Sequence, residues 1–268
     1  MPTKADQLRT GIDLGGTKIA GIVFGEGDRI LAETRRDSPR DDYHATIAAI
    51  VETVDELERQ AGARSRVGIG MPGSVSAVTG CVQNSNSVWL NGKPFADDAR
   101  AALGRPTRFA NDANCFVLSE ASDGAAAGAS NVFGVIIGTG CGGGIVAQGR
   151  ILDGPNHTGG EWGHVPLPWA TPEEHPGPAC WCGRHGCMET WISGRGLERD
   201  HQEVAGQELS GPEIAARAAA DPVCQASLDR HLSRLARGLA MIVNIIDPQV
   251  IVLGGGNTAM DCCRTSRR

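Results

Sequence analysis

The stretch GIDLGGTKIA at residues 11–20 decides the fold, and IIGTGCGGGI at residues 136–145 repeats its design. Each starts with an apolar run typical of a buried strand, passes through glycines with one threonine, and continues as a second apolar run. Each therefore predicts two strands joined by a tight turn. Such a turn directs backbone N–H groups outward as an anion-binding nest, to which the threonine adds a hydroxyl donor. The simpler alternative is a hairpin that needs glycine only for its geometry.

Around the first of these turns, the sequence predicts an alternation of strands and helices. After a third strand, DDYHATIAAIVETVDELERQAG has the 3.6-residue spacing of an amphipathic helix that ends on Gly62. A buried strand is predicted in RVGIGMPGSV, a helix in FADDARAAL and a strand in PTRFAND. The stretch ANCFVLSEASDGAAAG predicts a further helix.

After the second turn the same order of elements returns. Helices are predicted around residues 189–200, 211–219 and 224–246, and QVIVLGGG reads as a closing buried strand. This repetition predicts an α/β protein of two similar domains, residues 1–118 and 119–268, with a cleft between them.

Composition narrows the classes of function. The net charge of −6 gives no reason to expect nucleic acid or a membrane surface as a partner. The first residues lack the apolar core of a signal peptide and no apolar run approaches about 18 residues, so we expect a cytoplasmic protein. Glycine makes up 37 of the 268 residues, about twice its usual share, so the backbone must approach something closely at several places.

Two nucleotide-binding motifs are excluded. GTGCGG fits G-x-G-x-x-G, but that fingerprint must open a helix, and the residues that follow predict a strand. The P-loop pattern G-x-x-x-x-G-K-[ST] does not occur in the sequence.

Residues 157–190 concentrate thiols, imidazoles and carboxylates, and we call this segment the cysteine loop. Cys180, Cys182 and Cys187 are spaced C-x-C-x₄-C, and three thiolates need one more ligand for tetrahedral Zn²⁺. On spacing alone the fourth ligand stays open among four histidines; the alternative to a metal is a loop of reduced cysteines. The candidates are His157, His164, His175 and His185.

Three acidic or amide side chains follow predicted strands. Asn111 and Asp112 stand between a strand and a helix, where Asp112 could cap the helix or act as a general base toward a hydroxyl. Asp13 precedes the first turn and could hold hydrated Mg²⁺ beside a phosphate or only cap the turn.

Seven motifs together resemble the ROK family of sugar kinases, within the actin-like and hexokinase-like (ribonuclease H-like) ATPase fold. They are GIDLGGTKIA, GIGMPGS, ANDANC, IIGTGCGGGI, GEWGH, CWCGRHGCMET and VIVLGGG, which span about residues 10–256. The sequences of three segments look most like those of the bacterial fructokinase/mannokinase branch; the segments are NSNSVWLNGKPF, SPRDDYHATI and EWGHVPLPW.

The resemblance implies a role for each matching position. Asp112 would be the catalytic base, and Zn²⁺ would be structural. The sugar would be bound by Asn86, Asn111, Asp112, Glu161, His164 and Glu189, with Gly73 nearby; zinc by His164, Cys180, Cys182 and Cys187; and Mg·ATP by Asp13, Gly15, Gly16, Thr17, Gly138, Thr139, Gly140, Gly254, Gly255 and Gly256.

The implied activity is ATP-dependent phosphorylation of a hexose 6-hydroxyl, with fructose as the first substrate and mannose as a second. An N-acetylglucosamine kinase or glucokinase of the same family is the alternative. The resemblance is also compatible with a homodimer that binds only a sugar and ATP.

The C-terminal segment NTAMDCCRTSRR is shorter than the one usual in the family, and this difference raises alternatives to an active kinase. We therefore expect a truncated second domain with an incomplete nucleoside side. The alternatives are then a sugar-binding pseudo-kinase, or a ROK-type regulator without its DNA-binding domain.

Overall fold

A computed structural model describes residues 8–254 of the chain. Its first sheet has five strands in the order β3-β2-β1-β4-β7. β1 pairs antiparallel with β2 and parallel with β4, so the hairpin around residues 15–17 and a crossover are combined in one sheet. The strands are β1 Arg9–Leu14, β2 Lys18–Phe24, β3 Ile30–Asp37, β4 Arg66–Met71 and β7 Thr107–Asn111.

Two helices accompany this sheet, as the sequence predicted. α1 (Tyr43–Ala61) begins after Asp42, whose side chain accepts a hydrogen bond from the Ala45 N–H, and ends at Gly62 with φ of 74°. Its apolar face buries Ile50, Val54 and Leu57 against β2 and β3. α2 (Phe95–Leu103) packs on α1. A small hairpin of β5 (Ser74–Val75) and β6 (Val82–Gln83) lies between β4 and α2 along the chain.

The second sheet repeats the order of the first four strands of the first sheet. It runs β10-β9-β8-β11, with β8 and β9 antiparallel and β11 parallel to β8. The strands are β8 Asn131–Ile137, β9 Cys141–Ala147, β10 Arg150–Ile151 and β11 Val250–Gly254. Residues after the second turn thus form a strand, as the rejection of the dinucleotide fingerprint required.

One helix joins the two halves. α3 (Asp112–Ser122) follows directly from β7 of the first sheet and packs on β8 and β9 of the second, where Phe116 and Val117 are buried. The predicted helix ran on to about residue 128, but α3 ends at Ser122. The Glu120 carboxylate instead accepts the N–H of Ala125, which closes a turn and stops the helical bonding pattern.

The remaining helices follow the cysteine loop. The sequence predicted one helix around residues 189–200, but the structure has α4 (Met188–Ile192) and α5 (Gly194–Ala205). Ser193 separates them because its backbone is extended and its side chain caps α5 by accepting the Gly196 N–H. α6 (Gly211–Arg217) and α7 (Pro222–Ile246) agree with the other two predictions.

Two buried cores correspond to the two halves. One lies between α1 and the first sheet around Ile12, Ile50 and Leu57, and another lies under the cysteine loop around Phe133, Trp162 and Met188. A division near residue 118 stays a prediction; in the structure that position is inside α3. Within residues 8–254, no helix combines the length and apolarity needed to cross a membrane.

Candidate active site

A cleft of about 500 Å³ is lined by residues of both halves. Both glycine turns form part of its wall, through Gly16 and Thr17 on one side and residues 138–140 on the other. The predicted sugar-binding residues line the same cleft: Asn86, Asn111, Asp112, Glu161, His164 and Glu189. The structure therefore brings together residues as far apart in the sequence as Gly16 and Glu189.

Each turn is closed by one backbone hydrogen bond, which spans four residues in the first turn and three in the second. The Gly15 N–H donates to the Lys18 carbonyl at 2.9 Å, and the Gly138 N–H donates to the Gly140 carbonyl at 2.9 Å. None of these glycines has positive φ, and close approach explains two of them: a Cβ on Gly15 would lie 2.9 Å from the Lys18 carbonyl, and one on Gly140 would lie 2.6 Å from the Glu189 carboxylate. Asp13 is half-buried at the end of β1, and neither it nor Gly15 forms part of the cleft wall.

Asn111 and Asp112 make different hydrogen bonds at the start of α3. Asn111 is the N-cap, because its side-chain oxygen accepts the Asn114 N–H at 3.2 Å, and its amide donates to the Gly73 carbonyl at 3.1 Å. Asp112, one residue on, accepts the Ala113 N–H at 2.8 Å. The capping role considered for Asp112 is thus held by Asn111, which leaves a carboxylate oxygen of Asp112 for the cleft.

Burial sets the protonation of the acidic side chains. Desolvation raises the pKa of Asp112 to about 6, against the lowering effect of hydrogen bonds from the Ala113 N–H, its own N–H and the Asn111 side chain. Desolvation, with the negative charges of Asp112 and Glu189, raises the pKa of Glu161 to about 7. Two carboxylates of the cleft therefore titrate close to neutral pH.

Glu189 is held by both of its carboxylate oxygens. One accepts the Cys141 N–H at 3.0 Å and the other accepts the indole N–H of Trp181 at 2.7 Å. Trp181 also meets the His164 ring edge to face, with centroids 4.7 Å apart. Trp181, which the sequence analysis did not single out, is thus part of the site wall, and its position between two cysteines was the available signal.

Glu161 and His164 lie at the two ends of a short 3₁₀ segment, Trp162–His164. Buried Trp162 donates its indole N–H to the Gly142 carbonyl at 2.9 Å and packs edge to face on Phe133. A Cβ on Gly163 would lie 2.2 Å from the Cys141 carbonyl, so only glycine allows this contact with β9. The backbone of β9 thereby fixes both predicted sugar-binding side chains.

The cysteine loop folds its predicted ligands into one cluster. One donor atom from each residue lies within 4.8 Å of the others, and these residues are His164, Cys180, Cys182 and Cys187. The Cys182 and Cys187 sulfurs are 3.7 Å apart, and His164 Nδ1 is 3.6 Å from the Cys180 sulfur. A Zn–S bond of about 2.3 Å places the sulfurs of a tetrahedral site about 3.8 Å apart, so the set fits Zn²⁺. The other histidines lie outside the cluster.

Other predicted positions have different surroundings. Asn86 is exposed on a loop that Asn91 fixes, by accepting the Ser85 N–H at 3.0 Å and donating to the Ser85 carbonyl at 2.8 Å. Gly254 packs on α3, where its Cβ would lie 2.3 Å from the Phe116 ring. Gly255, Gly256 and the tail lie outside the described residues.

Two cationic side chains of the cleft, Arg40 and Arg195, were missed by the sequence analysis. Both are exposed, and each stands next to one of the two turns in the fold. No spacing rule singles out an arginine of this kind, because its position depends on how distant segments meet.

The sequence of this chain is similar to those of known sugar kinases. The ROK family matches residues 9–266. The chain belongs to the ROK family. An N-acetyl-D-glucosamine kinase of Escherichia coli O127:H6 is 41% identical over 251 residues, which cover 92% of this chain and 83% of that protein.

Solved ROK structures share the fold. A ROK hexokinase from Thermus thermophilus is 35% identical, with a TM-score of 0.78 over 96% of this chain and 84% of its own. A ROK family glucokinase from Streptomyces griseus, solved with glucose and AMPPNP, is 28% identical, with a TM-score of 0.77 over 97% and 88%. The predicted family, fold and enzyme class are confirmed. The predicted fructokinase/mannokinase branch has no support, since the curated relatives are named N-acetyl-D-glucosamine kinases.

Proposed function

We propose that this ROK protein is an ATP-dependent sugar kinase whose first substrate is N-acetyl-D-glucosamine, phosphorylated at its 6-hydroxyl. One observation carries the proposal: the Asp112 carboxylate lies in a cleft whose wall includes both glycine turns and three further sugar-type ligands, Glu161, His164 and Glu189. A base, hydroxyl-binding groups and anion-binding turns are the parts that phosphoryl transfer to a sugar requires.

Asp112 acts as the general base. A pKa of about 6 leaves the carboxylate mostly ionised at pH 7 while keeping it basic enough to take a proton in the transition state. As the sugar oxygen forms its bond to the γ-phosphorus, the bond from that phosphorus to the bridging oxygen breaks and ADP leaves. The hydroxyl proton passes to Asp112.

The sugar is held by groups with free hydrogen-bonding capacity. Asn111 uses its side chain for the Gly73 carbonyl and the helix cap, so it fixes the sugar-facing loop as well as α3. Each oxygen of Glu189 already accepts one protein N–H and keeps a second acceptor site for a sugar hydroxyl. This arrangement favours a neutral polyhydroxylated ligand that arrives in a fixed orientation.

The turns at residues 15–17 and 138–140 bind the phosphates through the hydroxyls of Thr17 and Thr139 and through backbone N–H groups other than those of Gly15 and Gly138, which bond within the turns. Mg²⁺, when bound, neutralises charge on the phosphates; Asp13 stays the proposed residue beside it. Gly254, Gly255 and Gly256 stay proposed for the nucleoside side. Zn²⁺ would be held by the four clustered donors and would fix the loop that carries Glu161 and Glu189.

The choice of sugar rests on the relatives. An identity of 41% over 92% of this chain to proteins named N-acetyl-D-glucosamine kinase makes that sugar the first to test. Fructose, which the motif wording predicted, and mannose become comparison substrates, with glucose because of the hexokinase and glucokinase neighbours.

The test is ADP release with Mg·ATP and each of these four sugars, measured against a blank without sugar. We expect the highest kcat/KM with N-acetyl-D-glucosamine, and phosphorus NMR of the product to show a 6-phosphate. A preference for fructose would return the protein to the branch its motifs resemble. Sugar binding without turnover of any sugar would contradict the kinase and favour the pseudo-kinase or regulator.

A further inference from the structure

Two exposed arginines, Arg40 and Arg195, line the cleft from opposite halves. Arg40 follows β3 in the first half, and Arg195 is the second residue of α5 in the second half. We propose that they form a clamp on the phosphate chain of the nucleotide, one cation from each half. The inference rests on the proposed kinase function and adds two residues to the phosphate site.

Arg40 is attached to the first turn. Its Nε donates to the Gly16 carbonyl at 3.3 Å, and the backbone nearby is fixed because the Ser38 N–H donates to the Thr17 carbonyl at 3.0 Å. Within residues 8–254 its two terminal nitrogens have no acceptor and no carboxylate partner. The guanidinium therefore lies beside the turn with its terminal donors unused.

Arg195 stands at the second turn through the start of α5. The Gly194 N–H donates to the Gly138 carbonyl at 2.8 Å, and a Cβ on Gly194 would lie 3.2 Å from that oxygen. The 12-residue helix thus begins in contact with the turn. Among the described residues, Arg195 has neither an ion pair nor a hydrogen-bond acceptor for its side chain.

An unpaired cation at this position opposes helix stability. The first turn of a helix carries partial positive charge, so an arginine there is unfavourable unless an anion accompanies it. The other cation of α5, Arg199, has an acidic partner: it pairs with Glu203 at 3.4 Å, and it donates to the Thr190 carbonyl at 2.7 Å. The contrast indicates that the anion for Arg195 comes from a ligand.

The chemistry of the cleft identifies that ligand. A neutral sugar needs no cation, and Asp112, Glu161 and Glu189 supply acceptors for it. Phosphate oxygens match the planar guanidinium fork, with two hydrogen bonds to one phosphate. Because the two arginines belong to different halves and each adjoins a turn, the ligand that joins them is a chain of phosphates.

The test compares Arg40→Gln, Arg195→Gln and the double variant with the unchanged protein by calorimetry. The probes are AMPPNP, inorganic tripolyphosphate and adenosine. Arg150→Gln is the matched control, since Arg150 is exposed, has no partner among the described residues and lies outside the cleft. Thermal unfolding shows whether each variant folds.

We expect each single variant to bind AMPPNP and tripolyphosphate about tenfold more weakly, as for a lost charge-assisted hydrogen bond, with adenosine binding unchanged. Wild-type affinity for both probes in the double variant, or an equal loss in Arg150→Gln, would overturn the clamp, as would absence of binding of either probe to the unchanged protein. Loss of tripolyphosphate binding in the variants of a protein that phosphorylates no sugar would support the clamp and overturn the kinase.

Discussion

The Cys141 N–H donates to the Glu189 carboxylate across 3.0 Å, although 48 residues separate them in the sequence. Cys141 follows the second glycine turn, and Glu189 follows the last cysteine of the cysteine loop. This bond joins the proposed phosphate side of the cleft to its sugar side. A disturbance of the cysteine loop therefore reaches the turn through one side chain.

Glu189→Gln tests this connection. Glutamine can accept only one of the two N–H groups that Glu189 accepts, and the loss costs about 1–3 kcal/mol where the buried Cys141 N–H is the donor left without a partner, because the exposed Trp181 indole can bond to water instead. We expect a lower unfolding free energy and a raised KM for both sugar and ATP. The control is Glu33→Gln, exposed on β3 and without a side-chain partner among the described residues. A raised KM for sugar alone would show that the turn is independent of the loop.

Asp112→Asn tests the base. The asparagine oxygen can still accept the Ala113 N–H, so the start of α3 is retained while proton acceptance is lost. We expect kcat to fall by a factor of about 10² to 10⁴, with sugar affinity by calorimetry changed far less. Asp97→Asn, on exposed α2 surface, should keep full turnover. Near-normal kcat in Asp112→Asn would remove Asp112 from the mechanism.

The raised pKa of Asp112 gives a pH dependence with a definite sign. The ionised form is the base, so kcat/KM should fall as the pH is lowered through about 6. Stability should run the other way. Because the folded protein binds this proton more tightly than the unfolded chain, the unfolding free energy of the unliganded protein falls as pH rises from about 4 to 6. Chemical denaturation across that range should show the slope, reduced in Asp112→Asn.

Cys182→Ser tests the proposed zinc site. Removing one thiolate from the four-donor cluster should abolish stoichiometric zinc, lower the melting temperature and raise the KM for sugar, because the loop carries Glu161 and Glu189. Cys81→Ser is the control, since Cys81 lies outside the cluster. Retention of one zinc per chain in Cys182→Ser would contradict the assigned ligand set.

Glu174 anchors the outer part of the cysteine loop. Its carboxylate accepts hydrogen bonds from Arg234 at 2.9 Å and Arg237 at 2.8 Å, and those bonds lower its pKa to about 2. Glu174→Gln should lose about 1–3 kcal/mol of unfolding free energy at pH 7, because it removes the carboxylate charge that Arg234 and Arg237 share, although Arg234 keeps its ion pair with Asp200 at 2.7 Å. The loss should shrink as pH falls from about 4.5 toward 2, where Glu174 itself becomes protonated. Exposed Glu173→Gln should change stability little.

Much of the architecture could be predicted because it depends on local patterns. The glycine turns, the helix that ends at Gly62 and the C-x-C-x₄-C cluster each follow from neighbours in the sequence. The residues at which helices end were harder to predict. α4 and α5 are separated at Ser193 because the Ser193 side chain caps α5, and this capping competes with continuation of α4.

The candidate site was predictable only in part. Asp112 and Asn111 stand at a strand-to-helix junction, which the sequence pattern indicates. The sequence did not show which of the two caps the helix and which has a carboxylate oxygen left for the cleft. Arg40 and Arg195 had no signal, because their importance comes from two segments meeting at turns far away in the chain. The loop sequences suggested fructose as the substrate, which the names of the relatives do not support.

α3 starts at the edge of one sheet and rests on the other, so the junction between the halves falls between Asn111 and Asp112. Asn111 bonds Gly73 in the first half, whereas the body of α3 packs with the second. In any rotation of one half against the other, atoms move in proportion to their distance from the axis. A carboxylate beside such a junction would keep its position while the outer walls moved, so the residue proposed as the proton acceptor adjoins the link between the two halves.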